Sequence, residues 1–234
     1  MNPAVLRLHK RLSFLSRDAV TTRESWGLAQ MAGRIVEISG SGATAALTAA
    51  TGLLLEAQRS GEPSAWITVP GSTFYPPDID ESGVDLDGLA VVRAPDAQGA
   101  ARAAEQLIRS GGFGLVVIDL GPRFIRPRPG EGRPRYGHPY GCIATPLQTR
   151  LVGLAQKHDC AVVVLTEKPA YQPSMGSLIS LRAEARRRST QRAGDFVQRS
   201  PPAPYEVEVY VLKDKRRGPG HSHRKVFRGP PGLR

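Results

Sequence analysis

From Gly40 the chain has the spacing of a phosphate-binding loop, G-x-x-x-x-G-K-[ST], whose backbone and lysine cradle phosphates at the head of a helix. The last three positions here are Ala45, Ala46 and Leu47. Ala46 cannot place an ammonium on the β and γ phosphates, Leu47 cannot ligate Mg²⁺, and the Cβ of Ala45 stands where backbone must approach phosphate. A bare helix N-terminus remains. Its dipole favours an anion by about 0.3–1 kcal/mol, against about 1.5–3 kcal/mol for each charge-assisted hydrogen bond. The expectation is a degenerate loop kept as a sheet-to-helix turn, with no bound cofactor and no catalytic residue. Asp119 closes an apolar run and is a remnant acidic position; alone it cannot hold a catalytic metal.

Other chemistry is thinner. His221-Ser-His223 offers two metal ligands and no evident third. His138 and Cys142 lie in a Pro/Arg-rich stretch unsuited to nucleophilic catalysis, and Cys142 and Cys160 have no redox or metal spacing. The cations carry more information. The net charge is +11, yet residues 121–140, 182–199 and 213–234 carry +4, +4 and +7, leaving −4 on the remainder. Such blocks suit a polyanion or an acidic partner. Arg123, Arg126, Arg128, Arg133 and Arg135 stand among Tyr136, His138 and Tyr140, a mixture of phosphate-pairing cations and stacking rings suited to single strands. Arg186, Arg187 and Arg188 are consecutive and predict a strand end entering a loop. Lys213, Lys215, Arg216, Arg217, Arg224 and Lys225 complete the candidate contacts to nucleic acid or an acidic protein.

The elements that must position these residues follow from periodicity. Val5, Leu8, Leu12 and Leu15 recur at helical spacing with Arg7, Lys10, Arg11 and Arg17 between them, an amphipathic helix that needs a docking partner. A polar linker to residue 32 follows. From 33, strand-type runs at 34–39, 65–69, 89–93, 115–120 and 161–165 alternate with helix-type runs at 44–58, 97–109 and 145–158, which is βαβ grammar. Period-two runs near 179–185 and 205–212 predict antiparallel strands beside a parallel sheet. Residues 1–32, 33–215 and 216–234 thus divide into helix plus linker, α/β core and basic Gly/Pro-rich tail. The apolar runs are too short for a membrane-spanning helix, and the N-terminus has no secretory pattern, so the expected location is cytoplasmic.

Several runs carry a family resemblance. GRIVEI-x-G at 33–40, GVDLDGL at 83–89, RSGGFGLVVIDL at 109–120 and the pair Lys213-x-Lys215 occur in the order in which the RecA recombinase family has similar runs. The resemblance implies a RecA-like α/β core, mainly parallel, with antiparallel strands at its C-terminal end. It also implies that residues 121–142 and about 166–178 occupy the places of the family's two DNA-contacting loops. The family's water-activating glutamate would follow the second strand, where this chain has Pro70. A RecA-like core without ATPase residues is similar to the ImuA group, accessory proteins of the bacterial SOS mutasome. That likeness implies as partners an ImuB-like Y-family polymerase homologue, an error-prone DnaE-type polymerase complex, RecA and single-stranded DNA, in translesion synthesis. The alternatives are a SulA-like division inhibitor binding FtsZ and an ATP-independent single-strand-binding recombination mediator.

Overall fold

Apolar runs without polar alternation need cover on both faces, and the chain supplies it with helices on each side of one sheet. The computed structural model describes residues 26–40, 45–72, 74–121, 142–188 and 205–227. In chain order the elements are α1 (Leu28–Met31), β1 (Ile35–Gly40), α2 (Ala46–Arg59), β2 (Ser64–Thr68), α3 (Pro76–Asp80), β3 (Leu89–Arg93), α4 (Ala97–Arg109), β4 (Leu115–Asp119), α5 (Thr145–His158), β5 (Ala161–Glu167), β6 (Leu181–Arg188), β7 (Tyr205–Asp214) and β8 (Ser222–Phe227). Sheet order is β3-β2-β4-β5-β1-β6-β7-β8. Every pair from β3 to β6 is parallel, and the β6–β7 and β7–β8 pairs are antiparallel.

Alternate side chains of the central strands feed two cores. Val36, Ile38, Trp66, Val117 and Val163 face α2, whose Ala50, Leu53 and Leu54 are buried against them. Ile35, Ile67, Ile118 and Val164 face α4 and α5. Burying a side chain of this size stabilises by about 1.5–3 kcal/mol, so the two faces carry most of the folding energy. Helix α4 starts where Asp96 accepts a hydrogen bond from the Gly99 amide at 2.7 Å, an N-cap. Its buried Glu105 holds Arg109 at 2.5 Å and reaches Arg150 of α5 at 3.8 Å, tying the two helices together. None of the described helices is long and apolar enough to cross a membrane.

Three expectations need correction. The stretch from 216 onward, read as a tail, contributes β8 as an edge strand, because its residues pair across the sheet: Arg224 lies opposite Glu208 and Phe227 opposite Tyr205. The expected linker ends early, since Met31 is fully buried and the Leu28 amide donates to Glu56 Oε1 of α2 at 2.9 Å. Strand β6, expected in an antiparallel extension, runs parallel to β1, and the reversal comes one strand later. The amphipathic stripe Val5, Leu8, Leu12 and Leu15 lies outside the described residues.

One ion pair ties the entry to the first strand to the end of the seventh. Arg34 Nη2 lies 2.6 Å from Asp214 Oδ1, with both side chains almost fully buried, and the Arg216 amide donates to the same oxygen at 2.8 Å. Burial pushes the Asp214 carboxyl up, but the Arg216 amide and the Arg34 guanidinium outweigh it and hold it below its ordinary 3.8. A depressed carboxyl pKa contributes stability that is complete above the unfolded value and is lost as pH falls through the folded one. Asp214→Asn will therefore lower unfolding free energy by about 3–5 kcal/mol at neutral pH, the usual cost of removing one partner of a buried pair. Urea titrations below pH 4 will show the difference from wild type shrinking.

Candidate functional site

The carboxyl ends of β1, β2 and β4 meet the head of α2, the place where open α/β sheets hold ligands. In this chain the helix head is closed by packing. Ala45 and Ala46 are 2% and 5% exposed, and Leu47 packs against the same core. The Ala45 amide donates to the Ala185 carbonyl of β6 at 3.3 Å, and Thr48 Oγ1 lies 3.2 Å from the Tyr205 hydroxyl. Helix α2 has no side-chain cap. Gly40 ends β1 buried, and residues 41–44 lie outside the described residues.

Asp119 ends β4 with both oxygens engaged. Ser72 Oγ donates to Oδ2 at 2.7 Å and the Gly121 amide to Oδ1 at 3.0 Å, while Thr68 Oγ1 donates to Ser72 Oγ. Gly121 has φ 65°, and a Cβ there would sit 3.1 Å from the Ser72 amide, so glycine lets the two loops meet. Burial raises the Asp119 pKa against the two hydrogen bonds. A magnesium–nucleotide needs an ammonium, a hydroxyl ligand and an ionised acceptor at these positions. Ala46, Leu47 and a fully occupied, desolvated Asp119 do not fit it.

Charge is concentrated one strand away, on residues the sequence did not single out. Glu37, mid-β1 and fully buried, is 2.5 Å from Lys168 Nζ and 4.0 Å from Arg182 Nε, and it accepts from Thr166 Oγ1 at 2.8 Å and from the Met175 amide at 2.9 Å. Lys168 also donates to the Pro173 carbonyl at 2.7 Å; Arg182 donates to the carbonyls of Pro169 at 3.0 Å and of Gln172. This cluster clamps the 168–176 loop, the place assigned to the second DNA-contacting loop, onto the central strand. The signal was available: a carboxylate inside the run Ile-Val-Glu-Ile must be buried with a cation, but the run does not say which one.

The predicted cations are largely committed within the sheet. Arg186 pairs with Glu184 at 2.5 Å and Arg188 with Glu208 at 3.3 Å, while the Arg187 guanidinium sits 4.3 Å from the Tyr205 ring centroid. Arg224 pairs with Glu208 at 3.1 Å, and Lys225 lies over the Phe227 ring. Lys213 Nζ donates to Ser174 Oγ at 3.2 Å and Lys215 Nζ to the Ser177 carbonyl at 2.6 Å, two further fasteners of the same loop. Burial, and then Lys215, lower the Lys213 pKa. Arg216 and Arg217 are exposed at the β7–β8 turn. Arg123, Arg126, Arg128, Arg133 and Arg135 lie outside the described residues. Among the described residues no cluster of His, Cys, Asp or Glu could hold a metal ion.

Comparison with known proteins bears on this geometry. Residues 8–127, just over half of the chain, match the RecA N-terminal domain model. Protein RecA of Clostridium novyi (strain NT) is 26% identical over 198 residues, covering 78% of this chain and 55% of that one. Protein RecA of Picosynechococcus sp. is 28% identical over 176 residues, 70% of this chain and 49% of that one. The chain thus spans about half the length of these relatives. The crystal structure of the RadB recombinase superposes with a TM-score of 0.56 over 85% of this chain and 88% of that one, at 16% identity, a likeness of fold.

Two variants test the site. Glu37→Gln strands Lys168 and Arg182 in the core and will cost about 3–5 kcal/mol, with amide exchange rising first in residues 168–178. Asp119→Asn will melt at or above the wild-type temperature at pH 7. A raised carboxyl pKa contributes stability below its unfolded value that is lost as pH rises through the folded one. Asparagine removes the buried charge, keeps its oxygen for the Gly121 amide and turns its NH2 to Ser72 Oγ, which can accept by donating its own proton to Thr68. A large fall in melting temperature would instead assign the ionised carboxylate a structural role.

Proposed function

Since the chain belongs to the RecA N-terminal domain family, we propose that it is a non-catalytic RecA-like accessory protein of DNA damage tolerance, of the ImuA kind. It binds partner proteins and hydrolyses no nucleotide. The observation that carries this reading is the conversion of the phosphate site into packing. Ala45, Ala46 and Leu47 lie against the core, and the Asp119 carboxylate is spent on Ser72 and Gly121. Pro70 in place of a water-activating glutamate agrees with it. In this reading the partners are an ImuB-like polymerase homologue, an error-prone DnaE-type polymerase complex and RecA. DNA is met through the basic segments, Arg123 to Arg135 first.

Purified protein will show no ATP turnover above background with or without single-stranded DNA, and Ala46→Lys will not restore it, because the metal ligand and the glutamate are also missing. Turnover comparable to that of a RecA protein would overturn the proposal. Co-purification with an ImuB-like protein supports the partner assignment; retention by FtsZ would move the protein to the division-inhibitor class. DNA affinity should fall with log salt at about −0.7 per phosphate contact on single strands. A flat response would remove DNA from the partners.

A further inference from the structure

On the far side of the sheet from α4 and α5, a groove of about 660 Å³ runs between α2 and the β7–β8 hairpin. Ala49, Gly52, Leu53 and Glu56 line it at helical spacing, and Val207 and Val209 form the facing wall. At one end the walls touch, since a Cβ on Gly52 would lie 3.2 Å from the Phe227 ring. At another point the Trp26 amide donates to His223 Nδ1 at 3.1 Å and closes the wall there. Beyond the Gly52–Phe227 contact the lining on and just after α2 extends from Leu53 to Ser60, roughly 10 Å at the helical rise, the length of two turns of a second helix.

The charge on the rim selects the occupant. Arg59 and Lys225 are exposed and pair with no carboxylate among the described residues. Glu56 is the one carboxylate lining the groove and accepts from the Leu28 amide at 2.9 Å; the lining cations Arg59, Arg224 and Lys225 outnumber it. The chain's own N-terminal stripe, in cis or from a second copy, would bring Arg7, Lys10 and Arg11 against these cations. We propose that the groove seats an amphipathic helix of another protein, with an apolar stripe flanked by carboxylates. The site is separate from the degenerate phosphate loop, and its use does not depend on the function proposed above.

The test uses full-length protein and a labelled peptide with leucines at i, i+3, i+4 and i+7 and glutamates on both flanks, followed by fluorescence anisotropy. The peptide should bind at least tenfold more tightly than a scrambled peptide of the same charge, about 1.4 kcal/mol. Arg59→Glu with Lys225→Glu should weaken it by about tenfold or more at an unchanged melting temperature; if the double variant melts early, Lys225→Glu alone serves. A photo-crosslinking residue in place of Ser60 should couple to the peptide. Equal binding of the scrambled peptide, or an affinity unmoved by charge reversal, would overturn the proposal. So would crosslinks to residues 1–25 of the same or a second chain, or no crosslink to the peptide.

Discussion

A fully buried carboxylate sits in the middle of a central strand, and the cations and loop that follow β5 and β6 are arranged around that charge. Leaving Glu37 ionised and alone would cost several kcal/mol. The chain answers with cations from two neighbouring strands, Lys168 after β5 and Arg182 on β6, so that pairing joins three adjacent strands at one point. Two cations against one anion overshoot, and the surplus donors are absorbed by carbonyls of Pro169, Gln172 and Pro173 and by Ser39 Oγ. The loop is therefore a ligand of the charge cluster. Its backbone is where the donors must end, which explains how a stretch rich in proline and serine keeps a defined path.

The same logic changes what the basic composition means. A net +11 read along the chain suggests free cations. Where the chain is described, most of the singled-out cations have acceptors: Arg188 and Arg224 form a cross-strand ladder with Glu206 and Glu208, and Arg186 pairs with Glu184 on its own strand. Exposed pairs of this kind contribute about 0–1 kcal/mol each. Their larger effect is on register, because a one-residue slip of β8 would move Arg224 to the opposite face of the sheet from Glu208. Charge counting along a sequence cannot separate such a ladder from a binding surface, since the pairing depends on strands 16 residues or more apart.

What was legible in the chain had short range. The α4 boundaries follow from Ala97, Ala100, Ala101, Ala104 and Ile108 at spacings of three and four, and the parallel strands follow from apolar runs that only a doubly covered sheet accommodates. The degenerate phosphate loop was visible because each lost group has a fixed place. Strand β8 was not, because His-Ser-His-Arg-Lys-Val-Phe has no alternating apolar pattern and becomes a strand only when Glu208 and Tyr205 lie opposite. Glu37 was hidden for the same reason: its partners lie 131 and 145 residues downstream.

The two losses at the phosphate site then have one physical cause. A helix head that binds phosphate must keep its first turn open, with small residues and unpaired amides facing solvent. Once the lysine and hydroxyl are replaced by Ala46 and Leu47, that open turn stabilises nothing, and packing it is worth about 25 cal/mol for each Å² of apolar surface covered. The Ala45 amide is instead taken by a β6 carbonyl, and Thr48 lies beside the Tyr205 hydroxyl, so polar groups of this turn are used within the protein. Asp119 follows: with no cation to face, its carboxylate is satisfied by Ser72 and Gly121 and serves to join the β2 and β4 loops. The fold thus gains in cohesion at the carboxyl edge of β2 and β4, where the Ser72 and Gly121 contacts join the two loops.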